Sequence, residues 1–74
     1  MISFVKKIEL TGCEKKLKKD GTPYYMVYAM GENGQTIACK YSGDKNLDDF
    51  KRGQFEVHFN YFGGQYPRME ILSF

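Results

Sequence analysis

Between two apolar runs the chain reads SGDKNLDDFKRG, Ser42 to Gly53, and this stretch separates one small β-barrel plan from another. Asp44 is placed to cap a helix, Leu47 and Phe50 share one face at i, i+3, and Gly53 supplies a stop. One or two turns are all that fit. The reading is therefore a short helix after the third extended run and before the fourth.

Working outward, Gly, Asn, Asp and Pro divide the rest into short runs, the pattern of an all-β chain. Run one is Ile2 to Cys13, extending as far as Lys18. Ile2, Phe4, Ile8 and Leu10 share one parity, and Val5 and Lys6 break it, so a long first strand that changes its buried face is expected. Asp20-Gly21 is a turn signal. Run two, Pro23 to Met30, and run three, Gln35 to Tyr41, flank Gly31-Glu32-Asn33-Gly34 and read as a hairpin. Run four, Gln54 to Phe62, alternates Phe55, Val57, Phe59 and Tyr61 with Glu56, His58 and Asn60, the cleanest period-2 pattern present. Gly63-Gly64 turns it into run five, Tyr66 to Phe74, with Met69 and Ile71 facing in and Arg68 and Glu70 facing out.

Strand, strand, strand, short helix, strand, strand is the element order of the five-stranded OB-fold barrel, with its helix between strands three and four. Closure also removes most exposed edges. The competing plan is an SH3-like barrel, which usually has only a 3₁₀ turn late in the chain. The 74 residues make one domain, 1–74, with a thin core. Cys13 and Cys39 lie in strand runs and read as small buried or half-buried side chains, although their spacing leaves a disulfide open. Two cysteines and one histidine make no zinc site. The N-terminus lacks an apolar signal segment and no run has membrane-spanning length, so the expectation is a soluble cytoplasmic protein.

Chemistry is sparse. His58, the only histidine, lies on the polar face of run four with no nucleophile tied to it. Asp48-Asp49 point about 100° apart on a helix and do not converge on one proton. The glycine pairs lack the helix and Lys-Ser/Thr of a phosphate loop. No enzyme and no cofactor are expected.

Binding features are stronger. Net charge is only +2, yet Lys6, Lys7, Lys15, Lys16, Lys18 and Lys19 put six of the eleven basic residues in the first 19 positions. A nearly neutral domain can carry a basic stripe. Aromatics make 16% of the chain, more than so small a core hides comfortably. In run two both faces are apolar. Compact Val27 and Ala29, with Tyr25, suit the interior, which leaves Tyr24, Met26 and Tyr28 outside beside the lysine turn. Ile37, Cys39 and Tyr41 share the inward parity of run three, leaving Lys40 outward. A positive groove beside aromatic faces is how single-stranded nucleic acid is held. The plainer readings are a solvated lysine loop and a Tyr/Met protein interface. Oligosaccharide sites also use exposed aromatics but do not need this lysine density.

At KDGTPYYM (Lys19–Met26) and GGQYPRMEIL (Gly63–Leu72) the chain resembles the filamentous-phage single-stranded DNA-binding proteins, also called helix-destabilising proteins. GQFEVHF (Gly53–Phe59) looks like that family's fourth strand, and the opening Met-Ile is similar. The resemblance spans nearly the whole chain through short motifs. It implies an OB fold, a homodimer, and cooperative, largely sequence-independent coating of single-stranded DNA in phage or mobile-element replication. It assigns Lys19 to the basic turn position, Tyr24 to base stacking and Met26 to the apolar position beside it. Lys40 and Arg68 become outward bases, and Tyr66 the tip of a closing hairpin that serves dimer contact. Glu70 departs from the pattern, standing where the family tends to have a second basic residue. The loop from Phe62 to Tyr66 is also shorter than that family's hairpin.

The combined expectation is an OB barrel that takes single-stranded DNA on Lys15, Lys16, Lys18, Lys19, Tyr24, Met26, Tyr28, Lys40, Tyr66 and Arg68. A protein-interaction barrel and a single-stranded RNA-binding protein are the alternatives.

Overall fold

Successive β-branched and aromatic residues at period 2, broken by Gly-containing turns, form five strands in the computed structural model, which describes residues 1–74. They are β1 Ile2–Leu17, β2 Pro23–Met30, β3 Thr36–Tyr41, β4 Gly53–Phe62 and β5 Arg68–Ser73. Bonded neighbours run β1-β2-β3-β5-β4, and β4 pairs back with β1, so the sheet closes into a barrel. Every pairing is antiparallel except β3 with β5, which is parallel through Lys40↔Glu70 and Tyr41↔Ile71. Run five begins later than expected, because Tyr66 and Pro67 lie in the turn before Arg68.

The turns behave as their residues dictate. Gly21, Gly34 and Gly64 adopt positive φ, and no other residue type does. In the first turn Gly21 N–H donates to the Lys18 carbonyl at 2.9 Å, and Thr22 N–H donates to the Asp20 carboxylate at 2.9 Å. The Thr22 backbone N–H is the main cause that holds the Asp20 carboxyl below its ordinary range.

β1 changes its buried face, and the cause is a bulge. Pairing with β2 passes from Leu10↔Ala29 to Gly12↔Tyr28, leaving Thr11 unpaired in that ladder. Leu10 is inward on the first side of the bulge and Cys13 on the second. The switch falls at Thr11 and not at Val5-Lys6, where the ladder with β4 is regular, so it does not explain that irregularity. Lys6 stays in the inward parity of Leu10 but lies at the barrel mouth, exposed, where it pairs with Glu32.

Inside, Leu10, Val27, Ala29, Cys39, Tyr41, Leu47, Val57, Phe59 and Ile71 form one buried cluster. Cys13, Val27 and Cys39 make a single row across β1, β2 and β3. Two strand spacings, about 10 Å, separate the thiols, and both are free. Ile37, expected inside, is exposed: β5 pairs with β3 only at Lys40 and Tyr41, so Ile37 lies at the open end of the barrel.

The expected short helix between strands three and four is absent. Residues 42–52 form a crossover loop with one i, i+3 bond, Phe50 N–H to the Leu47 carbonyl at 3.0 Å. Asp44 caps nothing. Instead the Asn46 side-chain oxygen accepts from Asp48 N–H at 2.8 Å, a local bond that competes with helical geometry. A helix of one or two turns has little to offset its nucleation cost. The apolar pair still does the work assigned to it: Leu47 is buried and Phe50 packs beside Phe55 and Phe74. Burying Leu47 contributes about 2 kcal/mol whatever backbone carries it.

Candidate nucleic-acid interface

Period 2 along β2 separates its two tyrosines. Tyr24 faces outward opposite Lys16 of β1, and Tyr25 points to the inner side opposite Lys15. Pro23 opens the strand, so this parity starts at a defined residue. Met26 lies between Glu14 of β1 and Lys40 of β3 on the outer face. The Lys40 ammonium lies 5.8 Å from the centroid of the Tyr24 ring, within cation–π range.

Lys18, Tyr24 and Lys40 line two adjoining depressions of about 560 and 440 Å³. One continues to Pro23, Tyr25 and the crossover loop from Tyr41 to Asn46. The other continues along Leu17, Lys19 and Met26. Together they make an open groove that passes over Tyr24. Five of the residues singled out in the sequence, Lys18, Lys19, Tyr24, Met26 and Lys40, therefore converge, and Lys16 stands beside them across from Tyr24.

The cations of this region are in no ion pair, although Asp44 also lines the groove. The molecule has three ion pairs, Lys6–Glu32, Arg52–Glu9 and Arg68–Glu70. Lys16, Lys18, Lys19, Lys40 and Lys45 belong to none of them. Unpaired ammonium groups beside an open groove are available to phosphates at no cost in broken salt bridges.

Four of the expected residues fall elsewhere or are engaged. Lys15 lies 5.9 Å from the centroid of Tyr25, on the opposite parity from Lys16. The Tyr28 hydroxyl donates to Glu14 at 2.8 Å, and its ring passes over Gly12. That bond is the main cause that raises the Tyr28 phenol above the ordinary tyrosine range. Tyr66 is 79% exposed at the β4–β5 turn and lines neither depression. Arg68 stacks 4.3 Å from the Phe62 centroid and donates through Nε to Glu70 at 3.2 Å, so its charge is partly committed.

Three contributors escaped the sequence reading. Lys45 and Asn46 belong to the stretch expected as helix, and they line the groove because that stretch is a loop. Tyr25 was assigned to the core, yet it is half-buried and borders the groove. Its hydroxyl donates to Asp48 at 2.7 Å, the main cause that raises its phenol above the ordinary range. Period 2 gives the direction of a side chain but not where the barrel ends, so nothing in the run marked Tyr25 as a rim residue.

The loop is shaped by one steric constraint. A Cβ on Gly43 would lie 2.5 Å from both the Leu72 carbonyl oxygen and the Tyr41 hydroxyl oxygen, so only glycine fits. Ser42 N–H donates to the Ile71 carbonyl at 2.8 Å, and Lys45 N–H to the Tyr41 hydroxyl at 3.2 Å. These contacts set the loop against the end of β5.

No group of three or more His, Cys, Asp or Glu side chains is arranged to hold a metal ion. Compared with models of known protein families, with curated proteins and with solved structures, the chain matches none.

Proposed function

We propose that this protein is an OB-type barrel that binds single-stranded DNA, largely without regard to sequence, and acts without catalysis. The strand order β1-β2-β3-β5-β4 with parallel β3 and β5 supports the OB assignment over the SH3-like one. The observation that carries the binding reading is the groove itself: Tyr24 sits among Lys16, Lys18, Lys19 and Lys40, none of which is ion-paired. Phosphates are captured by the lysines and a base stacks on Tyr24, a contact that contributes roughly 1–3 kcal/mol. The resemblance to phage helix-destabilising proteins supports the same reading and adds a homodimer in a replication setting.

The test is fluorescence anisotropy with single-stranded DNA, duplex DNA and RNA of equal length. Preference for single-stranded DNA is expected, with log K falling against log salt at a slope of roughly −3 for about four neutralised phosphates. A flat salt response overturns the phosphate contacts. Tighter RNA binding moves the substrate to RNA. No binding to any of the three leaves the Tyr/Met face as a protein-docking surface.

A further inference from the structure

The crossover loop that borders the groove also lines a further depression of about 390 Å³. Lys45 and Asn46 belong to both, so the groove and this depression adjoin. The loop buries Leu47 but leaves Phe50, Phe55 and Phe74 half-covered, and these three rings are the apolar lining. Phe74 lies at 84° to Phe50 and 68° to Phe55, while Phe50 and Phe55 are tilted by 34°. No two are stacked face to face, so no ring hides the whole face of another. The Lys45 ammonium lies 5.7 Å from the Phe74 centroid, which repeats the Lys40–Tyr24 arrangement of the groove. Lys45 and Lys51 line the depression with one acid, Asp49, and neither lysine is in an ion pair.

We propose that this depression is a second base subsite for the same single strand, a role that rests on the single-strand reading above. A strand stacked on Tyr24 continues past Lys45 and sets a further base among Phe50, Phe55 and Phe74. Lys45 meets a phosphate between the two subsites, and Lys51 meets one beyond. Asn46 stands at the junction. Its side-chain oxygen is held by Asp48 N–H at 2.8 Å, which leaves its NH₂ group as two donors without a protein partner. They suit a base-edge carbonyl or a phosphate oxygen.

An apolar side chain of a protein partner would use the rings alone. The two unpaired cations, and the residues shared with the groove, favour a base carried on a phosphate chain.

Anisotropy with oligothymidylates from about two to about ten nucleotides long reads the subsites in turn. Affinity should rise about tenfold or more where the strand first spans both. A strand of that length with bases in one half and abasic units in the other keeps the phosphates, yet should lose the rise. Phe50→Leu keeps an apolar side chain but removes a stacking ring. It should bring long strands close to the affinity of short ones and leave short strands little changed. Half-abasic strands that bind as tightly as the full strand overturn the subsite and leave the Tyr24 groove standing. So does a Phe50→Leu variant that keeps the wild-type circular dichroism and binds long strands like the wild type. If Phe50→Leu fails to fold, the half-abasic strands decide alone. If no oligonucleotide of any length binds, the single-strand reading falls and the subsite falls with it.

Discussion

Lys40 holds its ammonium 5.8 Å from the centre of the Tyr24 ring, which sets the charge proposed to meet phosphate beside the ring proposed to stack on a base, across the β2–β3 pair. The two residues sit on neighbouring strands of one ladder, so the rigid sheet sets their spacing. A cation over one face of a ring leaves its other face for a base.

Tyr24→Ala should weaken binding to single-stranded DNA about tenfold or more, corresponding to about 1.4 kcal/mol of lost stacking. The salt slope should stay the same, because no phosphate contact is removed. Anisotropy titrations at several salt concentrations separate the two effects. Unchanged affinity would show that bases stack elsewhere.

Lys40 and Arg68 should not contribute equally. Lys40 has no acidic partner, whereas Glu70 accepts the Nε of Arg68. Lys40→Ala should reduce the magnitude of the salt slope by about 0.7, the value for one phosphate on a single strand. Arg68→Ala should reduce it less. Glu70→Gln should increase affinity, by freeing Arg68 and removing a negative charge opposite Lys40 in the β3–β5 ladder. Equal slopes for the two alanine variants would remove Glu70 from this account.

Gly43→Ala should destabilise the fold. Its methyl group would press on the Leu72 carbonyl, part of the β5 backbone, and on the Tyr41 hydroxyl, which accepts from Lys45 N–H. Overpacking of this kind costs about 1–3 kcal/mol, readable as a lowered urea midpoint. The same variant should weaken DNA binding at temperatures where it remains folded, since the loop carries Lys45.

Tyr25 should act on stability where Tyr24 acts on binding. Tyr25→Ala removes a ring that packs 6.5 Å from Tyr41, edge to face, and should lower the melting temperature more than Tyr24→Ala does. Tyr25→Phe isolates the hydroxyl. The bond to Asp48 favours the protonated phenol, so the folded-state value lies above the unfolded one. The resulting stability is fully present below the ordinary tyrosine value, about pH 10, and is lost as pH rises through the folded value. Wild-type stability should therefore fall more steeply than that of Tyr25→Phe in that alkaline range. Urea melts at a series of pH values would show the two curves converging, and parallel curves would rule out the hydroxyl's contribution.

Much of this molecule is legible in its residues because period 2 and turn chemistry are local. The strand runs, the Asp20-Gly21 and Asn33-Gly34 turns, and the opposed directions of Tyr24 and Tyr25 all follow from neighbours in the chain. So does the convergence of Lys18, Lys19, Tyr24, Met26 and Lys40, which one turn and one hairpin bring together. Other features depend on partners far along the chain. Ser42–Gly53 has helical spacing, but the barrel end needs only Leu47 and Phe50, and the Asn46 side chain and the crowding at Gly43 favour a loop. Ile37 has inward parity, yet β5 does not reach it. Arg68 has outward parity, yet Glu70 engages it. Tyr66 follows the right motif and stands away from the groove. Local alternation determines which way a side chain points. Only tertiary closure decides how far each strand is covered, and therefore whether that direction ends in core, in a groove or in open solvent.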